Sequence, residues 1–161
     1  MLAVCVILGT LVMVLIVRMW LLFDWLIPKK ISGTRGVKLA DISVKQADDI
    51  MVFRAIGTLS YDELVETIET CYPQVTRHIL WDLRDCDLTG ITSNQFMMLP
   101  AIARSFMVNN KDGKAAYVGT DTVSFGLLSS YLVTAKVQGI TYSYNVFRTL
   151  ESAAEWLQSS I

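Results

Sequence analysis

Three aspartates lie close together in the stretch HILWDLRDCDLTG: Asp82, Asp85 and Asp87. They follow an apolar run typical of a strand, and open α/β sheets bind ligands at the carboxyl ends of their strands. Carboxylates at such a place can hold Mg²⁺ or accept a phosphoryl group. Phosphoacceptor chemistry also needs an acidic pair and a lysine at the ends of other strands, and the sequence offers neither. The simpler interpretation is that Asp85 and Asp87 form a turn, with Asp82 paired to Arg84 or Arg104.

A second set of polar residues lies where the chain enters helices. Free backbone N–H groups at a helix N-terminus attract anions. Together with Asp85, these residues form the candidate site for a ligand or partner: Thr89, Thr92, Ser93, Thr120 and Asp121. The alternative is ordinary helix capping. Thr92 and Gln95, three residues later, have the spacing of a capping box, which is sufficient to explain a threonine at position 92.

The sequence lacks the side-chain sets that most catalytic sites use. Its single histidine, His78, has no cysteine or second histidine at metal-ligand spacing, and one histidine cannot supply a convincing triad. No GxGxxG or phosphate-binding loop is present. The net charge of −1 argues against a nucleic-acid partner. We therefore expect no catalytic residue, no metal and no cofactor.

The first 27 residues are almost entirely apolar and carry no charge before Arg18. As a helix they would reach about 40 Å, against a hydrocarbon layer of about 30 Å. Arg18 and Asp24 fit at one membrane interface, where Trp20 and Trp25 would form an aromatic belt. The pattern predicts a transmembrane helix over residues 1–28.

A basic linker follows at residues 29–38 and contains Lys29, Lys30, Arg35 and Lys38. Because no basic residue precedes the apolar run, the positive-inside rule places the C-terminal domain in the cytoplasm. We expect a single-pass protein of the inner (plasma) membrane. A cleaved signal peptide and a later start, at Met13 or Met19, are the competing interpretations.

The remaining residues, 39–161, have the composition and length of one domain. Alternation of apolar and polar residues predicts strands, and two capping boxes mark helix starts, Ser60 with Glu63 and Thr92 with Gln95. The predicted order is β-β-α-β-α-β-α-β-α. Such an order forms an α/β fold with a mixed five-stranded sheet and about four helices.

Two stretches resemble the bacterial STAS-like family, which is related to the anti-sigma-factor antagonists. One is HILWDLRDCDLTG; the other runs from GKAAYVGTDTVSFGLLSSYL to VFRTLESAAEWL. The second ends in a pattern that recurs in these domains and is formed here by Phe147, Ala153, Trp156 and Leu157. The resemblance covers about residues 40–160. It implies a non-catalytic domain that binds a partner protein or a small ligand. We expect a membrane-anchored regulatory or binding module that engages a protein partner or a small anionic ligand.

The family's phosphorylatable serine lies in an Asp-Ser-x-Gly-type turn after the third strand. The corresponding turn here, residues 88–94, lacks that Asp and that Gly, and only Thr92 or Ser93 occupies the neighbourhood. Two other functions remain open. One is a Mg²⁺-dependent enzyme or phosphoacceptor that uses Asp82, Asp85 and Asp87; the other is an assembly domain that pairs through its exposed sheet edge.

Overall fold

The computed structural model of the chain describes residues 40–107, 113–140 and 142–159. The predicted transmembrane helix at 1–28 and the basic linker at 29–38 lie outside these ranges. None of the helices in the described ranges has the length and apolar character that crossing a bilayer requires.

The domain begins with a hairpin of two antiparallel strands, β1 (Ala40–Ala47) and β2 (Ile50–Thr58). Ala47 pairs with Ile50, so only Asp48 and Asp49 form the turn. Asp48 has a φ of 52°, a left-handed conformation that aspartate tolerates and that two-residue hairpin turns require. The predicted hairpin is therefore present.

Three strands and four helices follow. The further strands are β3 (His78–Asp87), β4 (Lys114–Val118) and β5 (Ser143–Phe147). The helices are α1 (Tyr61–Cys71), α2 (Ser93–Phe106), α3 (Thr122–Val137) and α4 (Leu150–Gln158), and a short 3₁₀ turn (Tyr72–Gln74) follows α1. The strand order is β1-β2-β3-β4-β5, and every pair after the first is parallel.

The sheet is covered unequally on its two faces. Right-handed crossovers between successive parallel strands place their helices on one face, and α1, α2 and α3 pack there side by side. The last helix, α4, has no following strand and packs on the opposite face, against β3, β4 and β5. β4 is consequently buried along its whole length.

An aromatic cluster fills the core beneath the three helices. The rings of Phe53 and Trp81 stack with centroids 4.5 Å apart, and Trp81 Nε1 donates a hydrogen bond to Tyr72 Oη at 3.0 Å. Tyr117 Oη lies 3.3 Å from Tyr131 Oη, so these two buried phenols satisfy each other's polar groups.

A smaller core lies under α4. Ala153 and Leu157 pack against Leu80, Ala116 and Val118. The end of α4 is held by Lys114, whose ammonium donates to the Trp156 carbonyl at 2.9 Å and to the Ser159 hydroxyl at 3.0 Å. A cation at the carboxyl end of a helix also interacts favourably with the helix dipole.

Some element boundaries differ from the sequence prediction. β3 extends to Asp87 because β2 continues to pair with it, whereas the apolar run HILWDL ends at Leu83. β5 begins at Ser143, although the alternating pattern starts at Ile140. α2 continues through Pro100, around which a kink is expected, and ends at Phe106.

The packing of α4 generates a stability prediction. Leu157 is almost fully buried, so Leu157→Ala should lower the free energy of unfolding by about 2–5 kcal/mol. Glu155→Ala, at an exposed position of the same helix, should cost less than about 0.5 kcal/mol. Urea unfolding of a fragment starting at residue 29 and followed by tryptophan fluorescence measures both. Equal stability of the two variants would mean that α4 does not dock.

Candidate functional site

A β-bulge near the carboxyl end of β3 decides which side chains reach the candidate site. Arg54 pairs with Asp82, but Ile56 pairs with Asp85, so the single residue Ala55 of β2 lies opposite two residues of β3, Leu83 and Arg84. Ile79, Trp81 and Leu83 point into the main core before this step, and Cys86 and Leu88 point into it after the step. The bulge thus reverses the alternation and directs both Arg84 and Asp85 away from that core.

Asp82 lies on the α4 face of the sheet and is engaged by arginines. Its Oδ1 accepts from Arg84 Nε at 2.8 Å, its Oδ2 accepts from Arg84 Nη2 at 3.1 Å, and Arg54 Nε lies 3.8 Å away. Burial raises the pKa of the Asp82 carboxyl, but the hydrogen bonds from Arg84 outweigh burial and hold that pKa below its usual range. The predicted pairing of Asp82 with an arginine is therefore correct and Arg84 is the partner, whereas Arg104 donates to the Gln138 carbonyl.

A groove of about 260 Å³ opens where β3 runs past the end of β4. The last residue of β4, Val118, pairs with Asp82, so the rest of β3 has no β4 neighbour. The N-terminus of α3 stands beside this unpaired end. Nine residues line the groove: Arg84, Asp85, Cys86, Asp87, Leu88, Thr89, Asp121, Val123 and Ser124.

Carboxylates give the groove its polar character. Asp85 accepts from Arg54 Nη2 at 3.0 Å, and Asp87 accepts from the Thr89 amide at 2.8 Å. Asp121 caps α3 by accepting from the amides of residues 123 and 124, each at 2.9 Å. Hydrogen bonds hold the pKa values of Asp87 and Asp121 below their usual range, the first mainly from the Thr89 amide and the second mainly from the Ser124 hydroxyl. Both remain ionised at neutral pH.

The residues predicted at helix starts divide into two groups. Asp85, Thr89 and Asp121 line the groove together. Thr92 and Ser93 are exposed at the start of α2 and do not line it. Thr92 forms the predicted capping box, in which its hydroxyl accepts from the Gln95 amide at 3.3 Å.

Thr120 does not line the groove but connects the end of β3 to the residue that follows β5. Its hydroxyl donates to the Arg84 carbonyl at 3.5 Å, and its own carbonyl accepts from Arg148 Nη1 at 2.8 Å. The Arg148 guanidinium also lies 4.4 Å from the centre of the Phe125 ring. A Cβ at the preceding Gly119 would come within 3.1 Å of Leu128, so a glycine there lets the chain pass close to α3. These contacts fix the loop that carries Asp121.

The groove offers a binding surface with little catalytic capacity. Burial raises the pKa of the Cys86 thiol to about 12, which keeps the thiol protonated and unreactive. His78 lies at the amino end of β3, the opposite end of the sheet, and its Nδ1 accepts from the Lys114 amide at 3.0 Å. Among the described residues no three acidic, histidine or cysteine side chains are arranged to hold a metal ion. Asp82 and Asp85 both contact Arg54, at 3.8 and 3.0 Å, and Asp82 is also bound by Arg84, so arginine side chains neutralise these two carboxylates.

Sequence reasoning missed several residues of this site. Val123 and Ser124 line the groove because the loop after β4 brings α3 beside β3, a tertiary contact without a local pattern. Arg54 lies one strand away from its partners Asp82 and Asp85. The run of charged and polar residues from Asp82 to Asp87 was the available signal, since it breaks the apolar alternation at the bulge.

Comparison with known proteins identifies the fold. No protein-family profile matches the sequence, and no curated protein matches it. The crystal structure of an anti-sigma factor antagonist from Mycobacterium paratuberculosis is similar, with a TM-score of 0.53 at 13% identity over 80% of this chain and 100% of that chain. A second similar structure is that of a DUF3478-family protein with a SpoIIAA-like fold from Shewanella loihica PV-4. Its TM-score is 0.46 at 14% identity, over 78% of this chain and 99% of that chain. The predicted STAS-like fold, with its mixed five-stranded sheet and four helices, is confirmed.

The Asp82–Arg84 contact generates a prediction of pH dependence. The pKa of Asp82 is lower in the folded than in the unfolded chain, so its stabilisation is complete above about pH 4 and is lost as the pH falls through the folded-state value. Asp82→Asn should therefore cost about 1.5–3 kcal/mol at pH 7, as expected for charge-assisted hydrogen bonds, and less at lower pH.

Urea unfolding across pH 2.5–7 measures this difference. Asp48→Asn is the matched control, because Asp48 is exposed in the hairpin turn and asparagine also tolerates a positive φ. A cost for Asp82→Asn that stays constant over the whole pH range would exclude this role of the carboxylate.

Proposed function

We propose that the chain is a non-catalytic regulatory module that binds a protein partner through the groove between β3 and the N-terminus of α3. The observation that carries the proposal is the composition of the groove. Its walls combine three carboxylates with hydroxyl and apolar side chains, while its only thiol is buried and protonated. Such a surface binds by hydrogen bonds and charge and lacks a nucleophile or general base positioned for catalysis.

The charge of the groove favours a protein segment over a small anion. Asp85, Asp87 and Asp121 face Arg84, whose guanidinium is already bound to Asp82. Asp85 is paired with Arg54, but Asp87 and Asp121 accept hydrogen bonds from uncharged groups and keep their negative charge. These two carboxylates would repel an anionic ligand, whereas a peptide supplies backbone N–H donors and lysine or arginine side chains. The similar solved structure is an anti-sigma factor antagonist, which also supports a protein partner.

We further propose that a transmembrane helix at residues 1–28 tethers the domain to the inner (plasma) membrane, on the cytoplasmic side. The apolar run and the basic residues after it support this arrangement. Ala40 pairs with Gly57, which pairs with Cys86, so the chain enters the domain at the same end of the sheet as the groove. The ten residues of the linker reach at most about 36 Å. A partner in the groove would then lie at or near the membrane surface.

Site-specific photocross-linking of the full chain in intact cells tests both parts of the proposal. A photoreactive amino acid at Thr89, which is exposed at the groove, should form a discrete adduct in the membrane fraction. The same amino acid at Glu155, on the exposed side of α4, is the control and should form none. Deleting residues 1–28 should remove the protein from the membrane fraction.

The outcomes separate the two parts. An absent Thr89 adduct, or one equally strong from position 155, would contradict binding at the groove. Membrane association that persists without residues 1–28 would contradict the tether. If the chain is phosphorylated in a Mg²⁺-dependent reaction and Asp85→Asn abolishes that phosphorylation, the non-catalytic assignment is wrong.

A further inference from the structure

The outward side of α3 carries an exposed apolar face. Val123, Val133 and Val137 are 61%, 66% and 82% exposed, and they are three of the six large hydrophobic residues exposed in the described part of the chain. Lys136 is the only charged residue of this 16-residue helix. A helix that is apolar nearly all round is usually buried on every side, yet no described element covers this face.

The exposed positions have the spacing of a helix-pairing seam. Val123, Gly126, Ser130, Val133 and Val137 are all exposed and follow one another at intervals of three, four, three and four residues. This is the heptad spacing with which two helices pack at a shallow angle. The residues that bury the other side of α3 are Ser124, Leu128, Tyr131 and Ala135, which face away from the seam. Pairing through the seam therefore leaves the fold undisturbed.

We propose that a second copy of this chain covers this face, with the two α3 helices antiparallel about a two-fold axis. In the register we propose, Gly126 lies opposite the partner's Ser130, and Val123 lies opposite the partner's Val133. Gly126 and Ser130 are small, so the two backbones can approach closely at the centre. A Cβ added at Gly126 would meet nothing within 4 Å in its own chain, so this position is open to a partner. Val123 and Val133 then pack on either side of the centre, whereas Val137 lies beyond the first residue of the partner helix. The face is complementary to itself, as a two-fold interface must be.

Charge complementarity selects the antiparallel arrangement. In this register the acidic cap of α3, Asp121, lies level with the last turn of the partner helix, which carries the partner's Lys136. The two-fold axis produces this opposite-charge pair twice. A parallel arrangement would instead place Lys136 beside the partner's Lys136 and Asp121 beside the partner's Asp121. The proposal does not depend on the function of the groove.

Sedimentation equilibrium of the full chain in density-matched detergent tests the pairing. The wild-type chain should show a concentration-dependent dimer, and Val133→Glu should lower its association constant at least tenfold because two charges would be desolvated in the seam. Val123→Glu, at a 61% exposed position opposite the partner's Val133, is a second variant and should have the same effect. Met98→Glu, on the exposed side of α2, is the matched control and should dimerise like the wild type.

Lys136→Glu tests the direction of the helices. In the antiparallel pair it places a negative charge level with the partner's Asp121, and the two repeats should weaken association about two- to fourfold. In a parallel pair it would exchange one like-charge contact for another, and the constant would not change. A monomeric wild-type chain, a dimer that Val133→Glu and Val123→Glu leave intact, or an unchanged association constant for Lys136→Glu would each overturn the proposal.

Discussion

The β-bulge at Leu83 and Arg84 is the constraint from which the organisation of the site follows. It reverses the alternation of β3, so that Cys86 and Leu88 complete the core while Asp85 and Asp87 turn outward. The bidentate contact between Asp82 and Arg84 spans the bulge and supplies the charged partner that a buried carboxylate requires. Without the bulge, Asp85 and Asp87 would continue the alternation of the buried β3 residues and point into the apolar core. Among the residues that the structure describes, that core offers no charged partner for them.

The strand order has an equally direct consequence for binding. Because successive parallel strands place α1, α2 and α3 on one face, α3 is the outermost helix of that row, beside β5 at the sheet edge. Its N-terminus borders the groove, and its outward side is the proposed dimer seam. Val123 belongs to both surfaces, so a partner in the groove and a second copy on α3 would compete for it. Regulation by such competition needs no catalytic group.

Local patterns predicted most of the fold but only part of the site. Both capping boxes and the hairpin at Asp48 are present because they depend on neighbouring residues alone. The sequence also predicted that candidate residues lie at the carboxyl ends of strands, and Asp85, Thr89 and Asp121 do lie together there. The end of β3 at Asp87, the bulge and the lining residue Val123 did not, because strand pairing and helix placement determine them. Thr92 and Ser93 share the predicted end of the sheet but start a different helix.

The groove is the proposed contact surface of the tethered regulatory module. Hydrogen–deuterium exchange of the full chain, compared between native membranes and purified protein in lipid nanodiscs, tests it most directly. Slower exchange in native membranes is expected for the amides of residues 84–89 and 121–124, which contain the residues that line the groove. Equal exchange rates in these segments, or protection confined to α4 and the β1 edge, would contradict it.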